Sequence, residues 1–174
     1  MLAVDRDPLA RELTAANAEA LGVADRVWVV AGDAVELVDA ARGGEVAGCG
    51  AAVRGWLHEP DPAVIRSGLV ALVAAQLGAT LVDPTIAYLT GDSPAGSPWV
   101  TSYPVTDVLP FNLKKLKALL RSRGVGRVTV KKRGSAIEPE TLARQLRGPG
   151  DATAVVVVTR VAGAPTVLVC GISG

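Results

Sequence analysis

Aromatic residues are scarce in this chain: three Trp, two Tyr and one Phe make up 3% of its 174 residues. A surface that reads nucleic acid by stacking bases on rings would be poorly supplied, so phosphate and shape contacts are the more accessible mode. Cysteine is almost absent. Cys49 and Cys170 stand far apart and neither belongs to a CxxC pair, which excludes a zinc-finger or disulfide-framework design, and no metal is expected. Long hydrophobic runs are lacking too: no stretch of about eighteen uncharged apolar residues offers a membrane-spanning helix. The first residues do not form a signal peptide, and a cytoplasmic protein with no membrane partner is expected. His58 is the only histidine, and a lone histidine in WLHEP reads as a packed or capping residue rather than a catalyst.

Acidic residues are missing from one place in particular. Positions 114–133 hold nine of the eighteen Lys and Arg residues and not one Asp or Glu. The net charge of the whole chain, +1, hides this: residues 1–53 carry about −5, residues 54–107 about −3 and residues 108–174 about +9. So dense a basic block points to a polyanionic partner, because neutralising phosphates and releasing their counterions is what such a cluster does well. The competing explanation is a solvated helix face, but the block runs through a helix and into the strand after it.

Helix starts are announced by Asp followed by Pro, which offer a side-chain acceptor at the N-cap and a preset φ at the first helical position. Asp7 with Pro8 predicts a helix over 8–21. Asp61 with Pro62 predicts one over 62–77, and Asp83 with Pro84 predicts a short helical turn near Ile86. Strands are expected at 2–4, 26–31 and 100–109. A basic helix over 113–123, capped by Asn112, would bury Leu113, Leu116 and Leu120 and carry Lys114, Lys117 and Arg121 on a neighbouring face. The strand at 125–133 would point Val128 and Val130 one way and Arg127, Thr129, Lys131 and Arg133 the other. A last helix at 138–147 starts with Pro139 near N1 and carries Glu138 and Glu140 at its positive end. Strands at 154–161 and 165–170 are joined as a hairpin through Ala162, Gly163 and Ala164. From residue 100 the order is βαβαββ, an α+β module with one basic face built by a helix and a strand. Trp28, Trp56 and Trp99 read as hydrophobic anchors, and Tyr88 and Tyr103 as strand or core residues.

The amino-terminal third reads as strand, acidic strand end, helix, strand, acidic strand end. Ligands of doubly wound sheets bind at the carboxyl ends of the strands, where a carboxylate can accept two hydrogen bonds from a ribose diol. Asp5 is placed for that role, and Asp33 could accept from an adenine amino group. The other reading of both is a helix cap or a solvated loop residue. A nucleotide-binding fold that sets Asp5 on an NAD ribose lacks the required GxGxxG.

VDRDP, the helix containing AANAEALG, and VAGDA resemble the second and third strand ends of class I S-adenosylmethionine-dependent methyltransferases. RGWLHEPDPAVIRSGLV, DPTIAYLTGD, VLPFNLKKLKALLRSRGVGRVTVKKRG, the Pro139 helix and VVVVTRV are similar, in that order, to the carboxyl-terminal half of a bacterial methyltransferase family with a small ferredoxin-like insert and a THUMP-like domain. The resemblance implies an α/β (α+β) chain in three parts. Residues 1–53 would be a partial Rossmann-like methyltransferase segment, 54–107 a ferredoxin-like segment and 108–174 a THUMP-like RNA-binding domain. It also implies S-adenosylmethionine as cofactor, with Asp5 of VDRDP at the ribose, Asp33 with Ala34 at the adenine, and Arg6 among the cofactor-binding residues. Lys114, Lys117, Arg121, Arg127, Lys131, Lys132 and Arg133 would touch RNA, a structured tRNA or rRNA.

Two parts of the family pattern have no counterpart here: the first strand with its glycine-rich loop, and the catalytic DP-containing motif after the fourth strand. Without them little is left to hold a methyl donor facing its acceptor. No catalytic residue is therefore assigned, and this chain alone is expected neither to bind the cofactor tightly nor to transfer methyl groups. Two functions are compatible with that expectation: the RNA-holding part of an RNA methyltransferase, or a non-catalytic RNA-binding adapter derived from one.

Overall fold

The computed structural model describes residues 2–31 and 52–173. The first segment is a βαβ unit: β1 (Leu2–Asp5), α1 (Pro8–Ala20) and β2 (Trp28–Ala31), the two strands parallel with Leu2 opposite Trp28 and Asp5 opposite Ala31. Asp7 caps α1 by accepting from Leu9 N at 2.9 Å, Pro8 occupies the first turn, and Gly22 turns the chain out at φ 65°. A 3₁₀ turn at Ala24–Arg26 delays β2 by two residues relative to the expected start.

From residue 56 the elements are β3 (Trp56–Pro60), α2 (Pro62–Arg66), α3 (Val70–Leu77), β4 (Thr80–Asp83), β5 (Ile86–Gly91), β6 (Val100–Pro110), α4 (Leu113–Ser122), β7 (Val125–Lys132), α5 (Pro139–Leu146), β8 (Ala152–Val161) and β9 (Ala164–Ser173). The strands form one sheet in the order β4-β5-β3-β6-β9-β8-β7, antiparallel except for β7 beside β8. β6 joins its two parts. Residues 100–104 pair with β3, and residues 105–110 pair with β9.

Two expectations are corrected. The helix expected over 62–77 is two helices, because Gly68 turns left-handed at φ 74° and the Ser67 hydroxyl donates back to the Ala63 and Val64 carbonyls. Asp83 and Pro84 do not start a helical turn near Ile86; they make the tight connection between β4 and β5.

Leu116, Leu120, Leu142 and Leu146 of α4 and α5 pack with Val156, Val158, Val167 and Val169 on one face of the sheet. β6, β8 and β7 run in the same direction. α4 carries the chain from β6 across to β7, and α5 brings it back to β8. Both helices cover the same face while the chain moves in opposite directions, so the two crossovers have opposite hands and one departs from the usual right-handed rule. The opposite face closes on itself: Leu57, Val82, Ile86 and Tyr88 from one end of the sheet meet Val157, Leu168 and Cys170 from near the other. α2 and α3 cover the outside of β4 and β5 through Val64, Val73, Ala74, Leu81 and Leu89. The sheet is thus curled, with helices outside and an apolar layer inside.

Asp83 holds this curl. One carboxylate oxygen accepts from Thr85 N at 2.9 Å and Thr85 Oγ1 at 2.7 Å, and the other accepts from Gly163 N at 2.8 Å in the β8–β9 turn. The Thr85 hydroxyl bond, ahead of the two backbone bonds and the nearby Arg160, keeps the Asp83 carboxyl below its usual range despite burial. Its contribution is therefore complete above the ordinary carboxylate range and is lost as pH falls through the depressed folded value. Asp83→Asn is expected to cost about 1–3 kcal/mol near neutral pH, as loss of hydrogen bonds to a charged group does. Urea unfolding should show that gap shrinking toward acid; a constant gap would rule out the ionised clasp.

Candidate nucleic-acid interface and adjoining cleft

α4 is set by its ends and its stripe. Asn112 accepts from Lys115 N at 3.0 Å at the amino end, and Leu116 and Leu120 lie fully under the helix with Leu113 and Leu119 beside them. That leaves Lys114 and Arg121 exposed and Lys117 half-buried on one flank.

β7 does not extend this flank. In its parallel register with β8, Val128, Val130 and Lys132 lie opposite Ala154, Val156 and Val158, on the face that α4 and α5 cover. Arg127, Thr129 and Lys131 lie opposite Thr153, Val155 and Val157, on the inner face. The single basic face expected from helix and strand together is therefore not formed. Side chains of a strand alternate between faces, and a helix can cover only one of them.

The two groups of cations also differ in their partners. Lys131 Nζ lies 2.6 Å from Glu59 Oε2, which also accepts from the Tyr103 hydroxyl at 3.2 Å, and the ammonium sits 5.5 Å from the Tyr103 ring centre. Burial alone would push the Lys131 ammonium down; the Glu59 and Tyr103 hydrogen bonds and charges outweigh it and hold the ammonium above its ordinary range. Lys132 pairs with Glu138 at 3.2 Å, and Arg123 with Asp107 at 2.9 Å. The Arg133 guanidinium lies 5.0 Å from the Tyr88 ring centre, and its Nε is shielded from water with no acceptor. Burial first, then the Glu59 charge, raises the Tyr88 phenol above its usual range against the pull of Arg133. Lys114, Lys117, Arg121 and Arg127 make no ion pair with any described residue.

Glu59, Lys131 and Arg133 open onto a cleft of about 240 Å³, whose walls also include Pro60, Asp61, Pro62, Pro98, Val100 and Thr101. Reading the sequence did not find this cleft. Glu59 and Lys131 are 72 positions apart, and nothing local to WLHEPDP announces the pairing. His58 is packed, as expected: it is buried, its Nδ1 shares a 2.9 Å hydrogen bond with Ser102 Oγ, and burial followed by the Arg54 charge lowers its pKa. Cys170 is a buried thiol pushed up to about 12 by desolvation, hence unreactive near neutral pH. Among the described residues no group of three or more His, Cys, Asp or Glu side chains could hold a metal, and no helix is long and apolar enough to cross a membrane.

Of the residues expected at the cofactor, Asp5 ends β1. Arg6 is exposed at the β1–α1 junction, where its carbonyl accepts from Arg11 at 2.9 Å. Asp33 and Ala34 lie outside the described residues.

A parallel βαβ unit, a curled mixed sheet and a basic helix over it define an α/β (α+β) chain. Residues 100–171 match the THUMP domain-like family, so β6 to β9 with α4 and α5 are a THUMP-like domain. Over 114 residues the chain is 38% identical to two uncharacterized S-adenosylmethionine-dependent methyltransferases of Mycobacterium tuberculosis, from strains CDC 1551 and H37Rv. Those alignments cover 65% of this chain and 31% of each relative, so the chain spans about a third of their length. A crystal structure from Porphyromonas gingivalis W83, described as a methyltransferase, shares the fold with a TM-score of 0.56 at 21% identity, over 68% of this chain and 29% of that one. The resemblance read from the sequence motifs is borne out: this is a THUMP-like relative of S-adenosylmethionine-dependent methyltransferases.

Proposed function

We propose that this chain is the RNA-holding part of an S-adenosylmethionine-dependent methyltransferase, and that its RNA contact is the flank of α4. The observation that carries this reading is the row of Lys114, Lys117 and Arg121, which has no acidic partner among the described residues, on the basic helix of a THUMP-like domain. Arg127 is the further unpaired cation of the block's strand part. Lys131 and Lys132 contribute less, since a carboxylate already neutralises each. The substrate is a structured RNA, tRNA or rRNA.

The cofactor would lie at the carboxyl ends of β1 and β2, with Asp5 at the ribose, Arg6 beside it, and Asp33 with Ala34 at the adenine. Asp5 opposite Ala31 gives those strand ends the side-by-side placement such a site needs. S-adenosylmethionine bound there supplies an electrophilic methyl group. In this reading the chain by itself holds RNA and does not transfer the methyl group.

Salt titration of RNA affinity is the test. With about four phosphate contacts, log affinity should fall with log salt at a slope of roughly −2.8 for single strands. Calorimetry on the same protein should give no low-micromolar heat with S-adenosylmethionine. Affinity indifferent to salt would end the RNA reading, and tight cofactor binding would end the non-catalytic one.

A further inference from the structure

The cleft beside β7 carries charge of both signs, arranged by chain segment. Glu59 and Asp61 come from the end of β3 and the residue after it, and Lys131 and Arg133 from the end of β7 and just beyond. The four formal charges cancel, so the cleft has no net attraction for a polyanion, and two carboxylates in its wall repel one. What it has is an acid side and a base side, held together where Lys131 meets Glu59 at 2.6 Å.

Each side keeps unused capacity. Glu59 engages its partners through Oε2 alone, and Asp61 uses Oδ1 to cap Ala63 N at 2.7 Å, which leaves one oxygen of each carboxylate to accept. On the base side, Arg133 pairs with no carboxylate among the described residues, so its guanidinium keeps donors for an anionic group. Pro60, Pro62, Pro98 and Val100 supply rigid apolar walls. At about 240 Å³ the space is below the usual range for drug-sized ligands and suits a molecule with few heavy atoms.

We propose that this cleft binds a small zwitterion of the α-amino acid class, its ammonium donating to Glu59 and Asp61 and its carboxylate accepting from Arg133 and Lys131. The site is separate from the α4 flank and does not depend on RNA binding. A zwitterion matches the cleft in sign on both sides, whereas a lone anion or cation meets one complementary and one opposing wall.

The test is ligand-observed NMR on the full 174-residue chain with the free α-amino acids, against acetate, ethylammonium and inorganic phosphate. At least one α-amino acid should bind at least about 10-fold more tightly than all three single-sign probes, the factor expected of one added charge-assisted hydrogen bond. Arg133→Gln and Asp61→Asn should each weaken it by about 10-fold or more. Arg133 also packs on Tyr88, so that variant could fail to fold; Asp61→Asn keeps the helix cap, because Asn caps as well as Asp, and it decides the matter alone. No α-amino acid binding below about 20 mM, phosphate or acetate binding as tightly, or an Asp61→Asn variant with unchanged affinity would each overturn the proposal.

Discussion

Alanine at Gly126 or at Gly150 is expected to lower stability by about 3 kcal/mol, the upper end of ordinary overpacking, and to lower the melting temperature by roughly 6–12 °C for a chain of this size. The reason is close backbone approach rather than a left-handed φ, which neither residue has. Gly148 N donates to Gly126 O and Ala152 N donates to Gly124 O, both at 3.1 Å, so the start of β7 and the loop before β8 run against each other main chain to main chain. A Cβ built on Gly126 would fall inside the Gly150 carbonyl oxygen, and one on Gly150 inside the Gly124 carbonyl oxygen. A Cβ on Gly148 would meet Val125 O at 2.5 Å. None of these obstacles is the free end of a side chain, so the main chain itself must move. That would pull β7 from β8 at the strand end nearest the carboxyl end of α4. Gly96→Ala is the control: its Cβ meets nothing within 4 Å, and such a change should stay within about 0.5 kcal/mol. Thermal melts that separate Gly150→Ala from Gly96→Ala by less than about 2 °C would show that the contact is not tight.

Replacing Lys114, Lys117 and Arg121 together with Gln should give the largest functional change in the molecule. Three lost phosphate contacts flatten the salt slope by roughly 2.1 for single strands, which amounts to a loss of roughly 20-fold of the salt effect between 50 and 200 mM. The fold should be untouched, since Lys114 and Arg121 are exposed, Lys117 is only half-buried, and the stripe of α4 is its leucines. The companion variant is Lys131→Gln with Lys132→Gln. If those two residues are neutralised by Glu59 and Glu138, removing them should change the slope by far less than two contacts' worth. A companion variant that flattens the slope as much as the α4 triple would move the interface to β7. Fluorescence anisotropy with one RNA across a salt series reads both.

Much of this could be anticipated locally. Asp7–Pro8, Asp61–Pro62 and Asn112 are caps in the structure because a cap needs only a side-chain acceptor and the next turn of chain. α4, β6, β7, α5 and the β8–β9 hairpin fall close to their expected bounds because each has a clear period or turn. β3, β4 and β5 did not announce themselves. β3 is five residues with Pro60 at its end, β4 is four, and the burial of all three depends on strands far along the chain. Asp83 shows the same limit, since Asp-Pro marks a turn locally while the turn's partner, Gly163, is 80 positions away.

By itself the sequence determined that a basic block of nine cations without an acid lies on one helix and the strand after it, within motifs similar to a THUMP-like methyltransferase. Only the tertiary structure decided which of those cations are unpaired. Alternation along β7 sends Arg127 and Lys131 to the face away from α4, and the curl of the sheet brings Lys131 to Glu59 and Arg133 to Tyr88. Charge is a property of composition; whether it is neutralised depends on which distant residue the fold sets beside it.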